Sequence, residues 1–239
     1  MHRTDQGSGK ENTTVMACIN AGGTALPPLF IFRAAKLWSA WKGDEDLSGT
    51  LYAVAEKEFI NSEIFLSYLE HFVQHIKRRP QIIILDGHLS HLDLRTVMLA
   101  KKENIAVVKL PSHTTDVLQP LDKTCFGPLK TYWIAALLDW QRKNQRSLSK
   151  CEFVNLVGEV WHKGLSPLNI IADFQKSGLF LVERNKYPIS RLDPVKLKRY
   201  IDAKELEENR ANMIVVPAHD DLVEELPLQD GFDITNETG

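Results

Sequence analysis

The sequence predicts an α/β fold built around one principal domain, and three stretches carry that reading. Gln81-Ile82-Ile83-Ile84-Leu85 is a near-continuous apolar run of strand length, the pattern of a strand buried on both faces. A helical stretch at about residues 92–104 and a second β-rich run at 105–110 follow it. A strand-helix-strand order of this kind implies parallel pairing in a covered sheet. Between residues 62 and 76 the apolar positions Ile64, Phe65, Tyr68, Leu69, Phe72 and Ile76 recur three and four apart, which predicts an amphipathic helix with Ser62 as its N-cap.

The remaining elements follow in chain order. Residues 13–19 are β-branched and stop at Asn20-Ala21-Gly22-Gly23, while residues 29–32 follow Pro27-Pro28, so the two read as strands around a glycine turn. Residues 34–50 read as a loop with exposed charge, and residues 51–55 as a third strand. Pro111 and Ser112-His113-Thr114-Thr115 interrupt the chain after the second parallel strand. Phe126, Leu129, Trp133, Leu137 and Trp140 then mark one face of a long helix that ends among Arg142, Lys143, Arg146 and Lys150. Ser149 caps a further helix carrying Phe153, Leu156, Val157, Val160 and Trp161. Beyond Tyr187-Pro188 the periodicity thins, which gives a domain over residues 1–188 and a linker with an acidic, mostly disordered tail over 189–239.

At 239 residues, 44% apolar and 25% charged, the chain can bury a full core. The formal charge of −2 hides an asymmetry, because residues 201–239 hold 11 acidic and 2 basic side chains and leave about +7 on the rest. Such a split separates a polyanion-facing body from a solvated acidic tail. Cys18, Cys125 and Cys151 are odd in number and lack C-x-x-C spacing, so neither a disulfide framework nor a zinc knuckle is expected, and a reducing compartment is. No apolar leader follows Met1 and no run of about 18 apolar residues occurs, which argues against secretion and membrane spanning and leaves cytosol or nucleus. P-loop, G-x-G-x-x-G, H-E-x-x-H and G-x-S-x-G strings are absent, disfavouring nucleotide hydrolases, zinc peptidases and the common serine hydrolases.

Two carboxylates stand out. Asp86 ends the apolar run at 81–85, and Asp122 closes Leu118-Gln119-Pro120-Leu121-Asp122, with 35 residues between them. Side chains at the carboxyl ends of parallel strands face the crevice where ligands bind. Two carboxylates delivered there from separate elements suit hard cations, as a two-metal phosphodiester site requires. Each also has a plain structural reading: Asp86-Gly87 turns the chain at a strand end, and Asp122 caps a helix, worth about 0.5–1 kcal/mol. Asp116 is the rival second ligand, from mid-loop. Gly87 permits close backbone approach, and His88 and His91 can contact a phosphate or tune the carboxylate. Thr114, Thr115 and Gln119 lie on the approach to the same edge or serve as turn residues. Lys123, Lys130, Arg142, Lys143, Arg146 and Lys150 suit phosphate contacts or make a solvated helix face. Trp133 and Trp140, seven apart, read as core rather than as a base-stacking platform.

An ordered set of strings closely resembles the DDE superfamily endonuclease domain of pogo/Tigger and jerky-type transposases, within the mariner superfamily. The set comprises Gly7-Ser8-Gly9-Lys10-Glu11-Asn12-Thr13-Thr14-Val15, Asn20-Ala21-Gly22, Leu26-Pro27-Pro28-Leu29, Leu85-Asp86-Gly87-His88 with His91, and Thr114-Thr115 through Gln119-Pro120-Leu121-Asp122 to Phe126 and Lys130. Asn169-Ile170-Ile171 with Phe174 and Gly178 is similar to the segment that closes such domains.

The resemblance implies an RNase H-like mixed sheet flanked by helices and three acidic residues binding two magnesium ions, of which Asp86 is the second and Asp122 the third. It makes DNA the expected partner and the nucleus the expected compartment, with His88, His91, Thr114, Thr115, Gln119, Lys123 and Lys130 as candidate nucleic-acid contacts. The family's first carboxylate lies in an Asp-Glu-(Thr/Ser)-Gly string on a first strand, upstream of the region matching Glu11 to Val15. The chain is expected to start too late to hold that strand or the family's helix-turn-helix modules, and Asp5 has no matching neighbours. A missing strand implies an open sheet edge able to pair with a protein partner or a second copy. Two functions therefore compete: a DNA endonuclease, or an inactive copy that binds DNA or protein. A small-molecule α/β enzyme is a third class, without a cofactor fingerprint to support it.

Overall fold

The computed structural model describes residues 13–43, 47–56, 60–86, 93–111 and 114–213. The chain divides into two units, Met1–Ile189 and Ser190–Gly239. In the first, β1 (Thr13–Met16) pairs antiparallel with β2 (Leu29–Arg33), Thr13 opposite Phe32 and Met16 opposite Leu29. The connection turns at Asn20, whose side-chain oxygen accepts the N–H of Gly22 at 2.9 Å and of Thr24 at 3.2 Å. Gly23 completes that turn at φ +88°, against the side chains of Ile171 and Pro167, a backbone setting that favours glycine. On the other side of β2, β3 (Leu51–Ala55) runs parallel, so this small sheet is mixed.

The helix α1 (Ser62–His75) buries Ile64, Phe65, Tyr68, Leu69 and Phe72, the stripe its spacing predicts. Its cap is Asn61 rather than Ser62. Asn61 is still extended, and its Oδ1 accepts the Ile64 N–H at 2.9 Å, so the helix starts at Ser62, one residue earlier than a serine cap at that position would give. One part of α1 packs Ile64 and Tyr68 on Leu29 and Ile31 of β2. Another sets Leu69 and Phe72 against Ala100 and Ile105.

The predicted parallel unit is present: β4 (Gln81–Leu85), α2 (Leu94–Lys102) and β5 (Ile105–Lys109), with Gln81 opposite Ile105 and Leu85 opposite Lys109. Asp93 caps α2 by accepting the Thr96 N–H at 2.9 Å. The expectation of a strand buried on both faces does not hold, because Ile82 is 65% exposed and Val108 is 45% exposed. α1 and α2 cover only the face bearing Ile83, Ile105 and Val107. Among the described residues β4 has β5 as its one strand neighbour. An apolar run reports what a strand can bury on its two faces, and here one face is covered.

Four helical pieces follow: α3 (Thr115–Leu118), a 3-10 turn (Pro120–Asp122), α4 (Phe126–Asn144) and α5 (Lys150–Gly164). Ser149 caps α5 as predicted, in a reciprocal box with Glu152. α6 (Pro167–Ser177) follows, begun by Ser166 with Pro167 and ended by Gly178 at φ +69°. The core joins Phe30 and Phe32 of β2 to Val154, Val157 and Trp161 of α5 and Ile170 of α6. Trp133 of α4 belongs to its margin, edge-on to Phe153 with ring centroids 5.1 Å apart, in keeping with the core reading.

In the second unit, α7 (Pro194–Met213) is helical within the stretch read as linker and tail. Asp193 starts it by accepting the Val195 N–H at 2.9 Å. Residues 214–239, which make up most of the expected acidic tail, lie outside the described residues.

Candidate functional site

Asp86 leaves β4 directly after Leu85 and is exposed. The parallel pairing persists to that point, since the Leu110 N–H donates to the Leu85 carbonyl at 2.9 Å. Two aligned strands thus fix the backbone that presents Asp86. Asp122 ends the 3-10 turn that buried Pro120 begins, and its N–H donates to the Gln119 carbonyl at 3.2 Å. The alternative of Asp122 as a helix cap fails, because α4 starts only at Phe126 and its cap position is Cys125, with no side-chain cap bond. Asp116 lies in α3 rather than mid-loop, and its carbonyl accepts Lys123 Nζ at 2.6 Å.

The carboxyl of Asp122 is raised above its ordinary value. Desolvation is the largest cause; the ammonium of Lys130 opposes it, and the charges of Asp86, Asp116 and Asp173 add to the rise. Of the other predicted residues, Thr114 uses its hydroxyl to donate to the Pro111 carbonyl at 2.7 Å, and Thr115 begins α3. The side-chain oxygen of Gln119 is buried without a hydrogen-bond partner. Lys123 is committed to the Asp116 carbonyl. Gly87, His88, His91 and Asp5 lie outside the described residues.

Among the described residues no group of three or more His, Cys, Asp or Glu side chains can hold a metal ion by itself. Magnesium is commonly held by one or two carboxylates while keeping several waters, so the pair of Asp86 and Asp122 fits its donor chemistry. Desolvation first, and then the charges of Asp86, Asp116 and Asp173, disfavour the ionised Asp122 carboxyl, a cost that a bound cation would relieve.

Sequence reading missed Asp173, which is fully buried in α6. Its Oδ1 accepts the backbone N–H of Thr124 and touches the Thr124 hydroxyl, which also donates to the Asn169 carbonyl at 2.8 Å. A signal existed: Ile170, Asp173 and Ser177 form the buried stripe of α6, and an acid in such a stripe needs a partner. Thiol chemistry has little support nearby. The three cysteines are free, burial pushes the Cys18 thiol up to about 11, and burial followed by the Asp173 contact pushes Cys125 further still.

An α/β domain that presents Asp86 at the end of a parallel strand pair and Asp122 on a 3-10 turn further along the chain offers candidate hard-cation ligands. The family model described as DDE superfamily endonuclease matches residues 10–174, and the chain belongs to that family. The MFS-type transporter clz9 of Cochliobolus lunatus is 29% identical over 202 residues, covering 83% of this chain and 22% of the transporter. CENP-B homolog protein 2 of Schizosaccharomyces pombe is 24% identical over 210 residues, covering 82% of this chain and 40% of that protein. The chain thus spans less than half the length of either relative. Among the described residues no helix is long and apolar enough to cross a membrane. No solved structure matches the chain.

Proposed function

We propose that this chain is a transposase-derived domain that faces DNA and uses Asp86 and Asp122 to hold magnesium beside a phosphodiester. The observation that carries the reading is the presentation of Asp86 directly after β4 and of Asp122 at the end of the 3-10 turn that follows β5 and α3, within the residues that match the family. Membership of the DDE superfamily endonuclease family supports DNA as the substrate class, and with it the nucleus as compartment. Bound magnesium supplies positive charge for the phosphate oxygens and lowers the pKa of a coordinated water.

The chain's own residues have separable tasks. β4 and β5 hold the backbone of Asp86, and the 3-10 turn presents Asp122. Lys130, close enough to lower the Asp122 carboxyl, brings a cation to where a DNA phosphate lies. In this reading Thr114, Thr115, Gln119, Lys123, His88 and His91 are further nucleic-acid contacts, Lys123 exchanging its bond to the Asp116 carbonyl for a phosphate.

Nicking of supercoiled DNA by the purified chain tests the proposal. Magnesium-dependent nicking that disappears in Asp86→Ala is expected, and equal nicking by both proteins overturns it. A second reading is a copy that binds DNA or protein without cutting. DNA binding that survives Asp86→Ala, with no nicking by either protein in magnesium, selects that reading.

A further inference from the structure

We infer that Asp173 is a positioning residue for Asp122, holding the turn that presents it. This rests on the proposed role of Asp122 and adds a residue on a separate helix to that site. The turn Lys123–Thr124–Cys125 links the 3-10 segment bearing Asp122 to α4, and it has no cap of its own, since Cys125 makes no side-chain cap bond. Lys123 is tied back to the Pro120 and Asp116 carbonyls, and Thr124 is held from α6. Asp173 receives the Thr124 N–H on Oδ1, and the Thr124 hydroxyl sits between that oxygen and the Asn169 carbonyl. Two points of α6, one turn apart, therefore grip a residue two positions from Asp122.

The arrangement is costly as mere packing. Asp173 is fully buried, and its second oxygen, Oδ2, has no hydrogen-bond partner. A buried carboxylate that satisfies one oxygen through a backbone N–H and leaves the other unmade is a poor core residue. A carboxylate that grips the turn bearing a metal ligand, and so fixes that ligand's direction, accounts for this burial.

The experiment is Mn2+ affinity of the full chain, read from the free-ion electron paramagnetic resonance signal, for wild type, Asp173→Ala, Asp173→Asn, Thr124→Ala and Asp86→Ala. Asp173→Ala is expected to weaken Mn2+ binding about 10- to 100-fold, the usual loss when a residue supporting a metal ligand is removed. Asp173→Asn, which keeps a side-chain oxygen to accept the Thr124 N–H, should recover most of that affinity, a rescue that general loss of stability does not give. If Asp173→Ala fails to fold by circular dichroism, Thr124→Ala takes its place, with weaker binding expected. Wild-type Mn2+ affinity in a folded Asp173→Ala or in Thr124→Ala overturns the inference.

Should wild type bind no Mn2+, or should Asp86→Ala bind as tightly as wild type, the metal reading itself fails. The clamp is then judged by hydrogen exchange. Faster exchange confined to residues 122–125 in Asp173→Asn or Thr124→Ala upholds the grip on the turn, and unchanged exchange there overturns it.

Discussion

Gly164 closes α5 against Leu129 of α4, and its replacement by alanine measures how tightly those helices bear on the site. A Cβ at Gly164 would lie 2.6 Å from Leu129 Cβ and 2.7 Å from Leu129 Cα. The Cα is backbone, so no rotamer change removes the clash. Overpacking of this kind costs about 1–3 kcal/mol. Against it stands a helix-propensity gain for Gly→Ala of at most about 1 kcal/mol, and less at the last residue of a helix. The clash wins by about 1–2 kcal/mol, which for a chain of this length lowers the melting temperature by about 2–8 °C. Gly127 in α4 is the matched control, since nothing lies within 4 Å of a Cβ placed there. Gly127→Ala should therefore be neutral or gain up to about 1 kcal/mol. Leu129 adjoins Lys130, whose charge acts on Asp122, so Gly164→Ala should also weaken DNA binding while Gly127→Ala does not. Thermal denaturation by circular dichroism reads the first effect. A Gly164→Ala protein that melts at or above the wild-type temperature refutes the packing argument.

Other perturbations follow from the charges. Asp122 titrates above its ordinary value in the folded chain, so its negative charge opposes folding at neutral pH, and that penalty is gone below the unfolded value near 3.8. Asp122→Asn should raise the melting temperature at pH 7 by about 1–3 °C, leave it unchanged near pH 3, and lose metal binding; a lower melting temperature at pH 7 refutes the account by desolvation and neighbouring carboxylates. Asp93 has the opposite sign. Its folded carboxyl is held at about 2 by the Thr96 N–H first and then by Arg95, so its stabilisation is full above pH 4 and is lost as pH falls towards 2. An acid-denaturation curve for Asp93→Asn should be shallower over that window, and an identical curve tells against the cap. Lys130→Ala should reduce the slope of log affinity for DNA against log salt by about 1, as expected for one lost phosphate contact; an unchanged slope removes Lys130 from the interface.

Local signals were legible where one interaction decides the outcome. The parallel β4–α2–β5 unit follows from one apolar run, one helix and a second run, and the α5 cap follows from Ser149 with Glu152 three residues on. The buried stripe of α1 came from spacing alone. Features that depend on distant parts of the chain were not legible. Whether Ile82 faces a neighbour depends on which elements cover β4, and α1 and α2 take only its other face.

At the site, the strand end that presents Asp86 was readable from the apolar run before it, but the 3-10 turn that carries Asp122 and the grip of Asp173 on Thr124, residues 49 apart, were not. The ends of α6 were readable in principle, with Ser166-Pro167 at the start and Gly178 at the stop. Asn61 outcompeted Ser62 because its backbone stays extended, a fact no residue count supplies.

The central claim is that Asp86 and Asp122 bind one divalent cation jointly, and a double-mutant cycle on Mn2+ affinity tests it most directly. Groups that share an ion are strongly non-additive, so Asp86→Ala and Asp122→Ala should each remove most of the affinity and the double variant should be little worse than either. Losses that simply add, or a single variant that binds Mn2+ as wild type does, contradict a shared site.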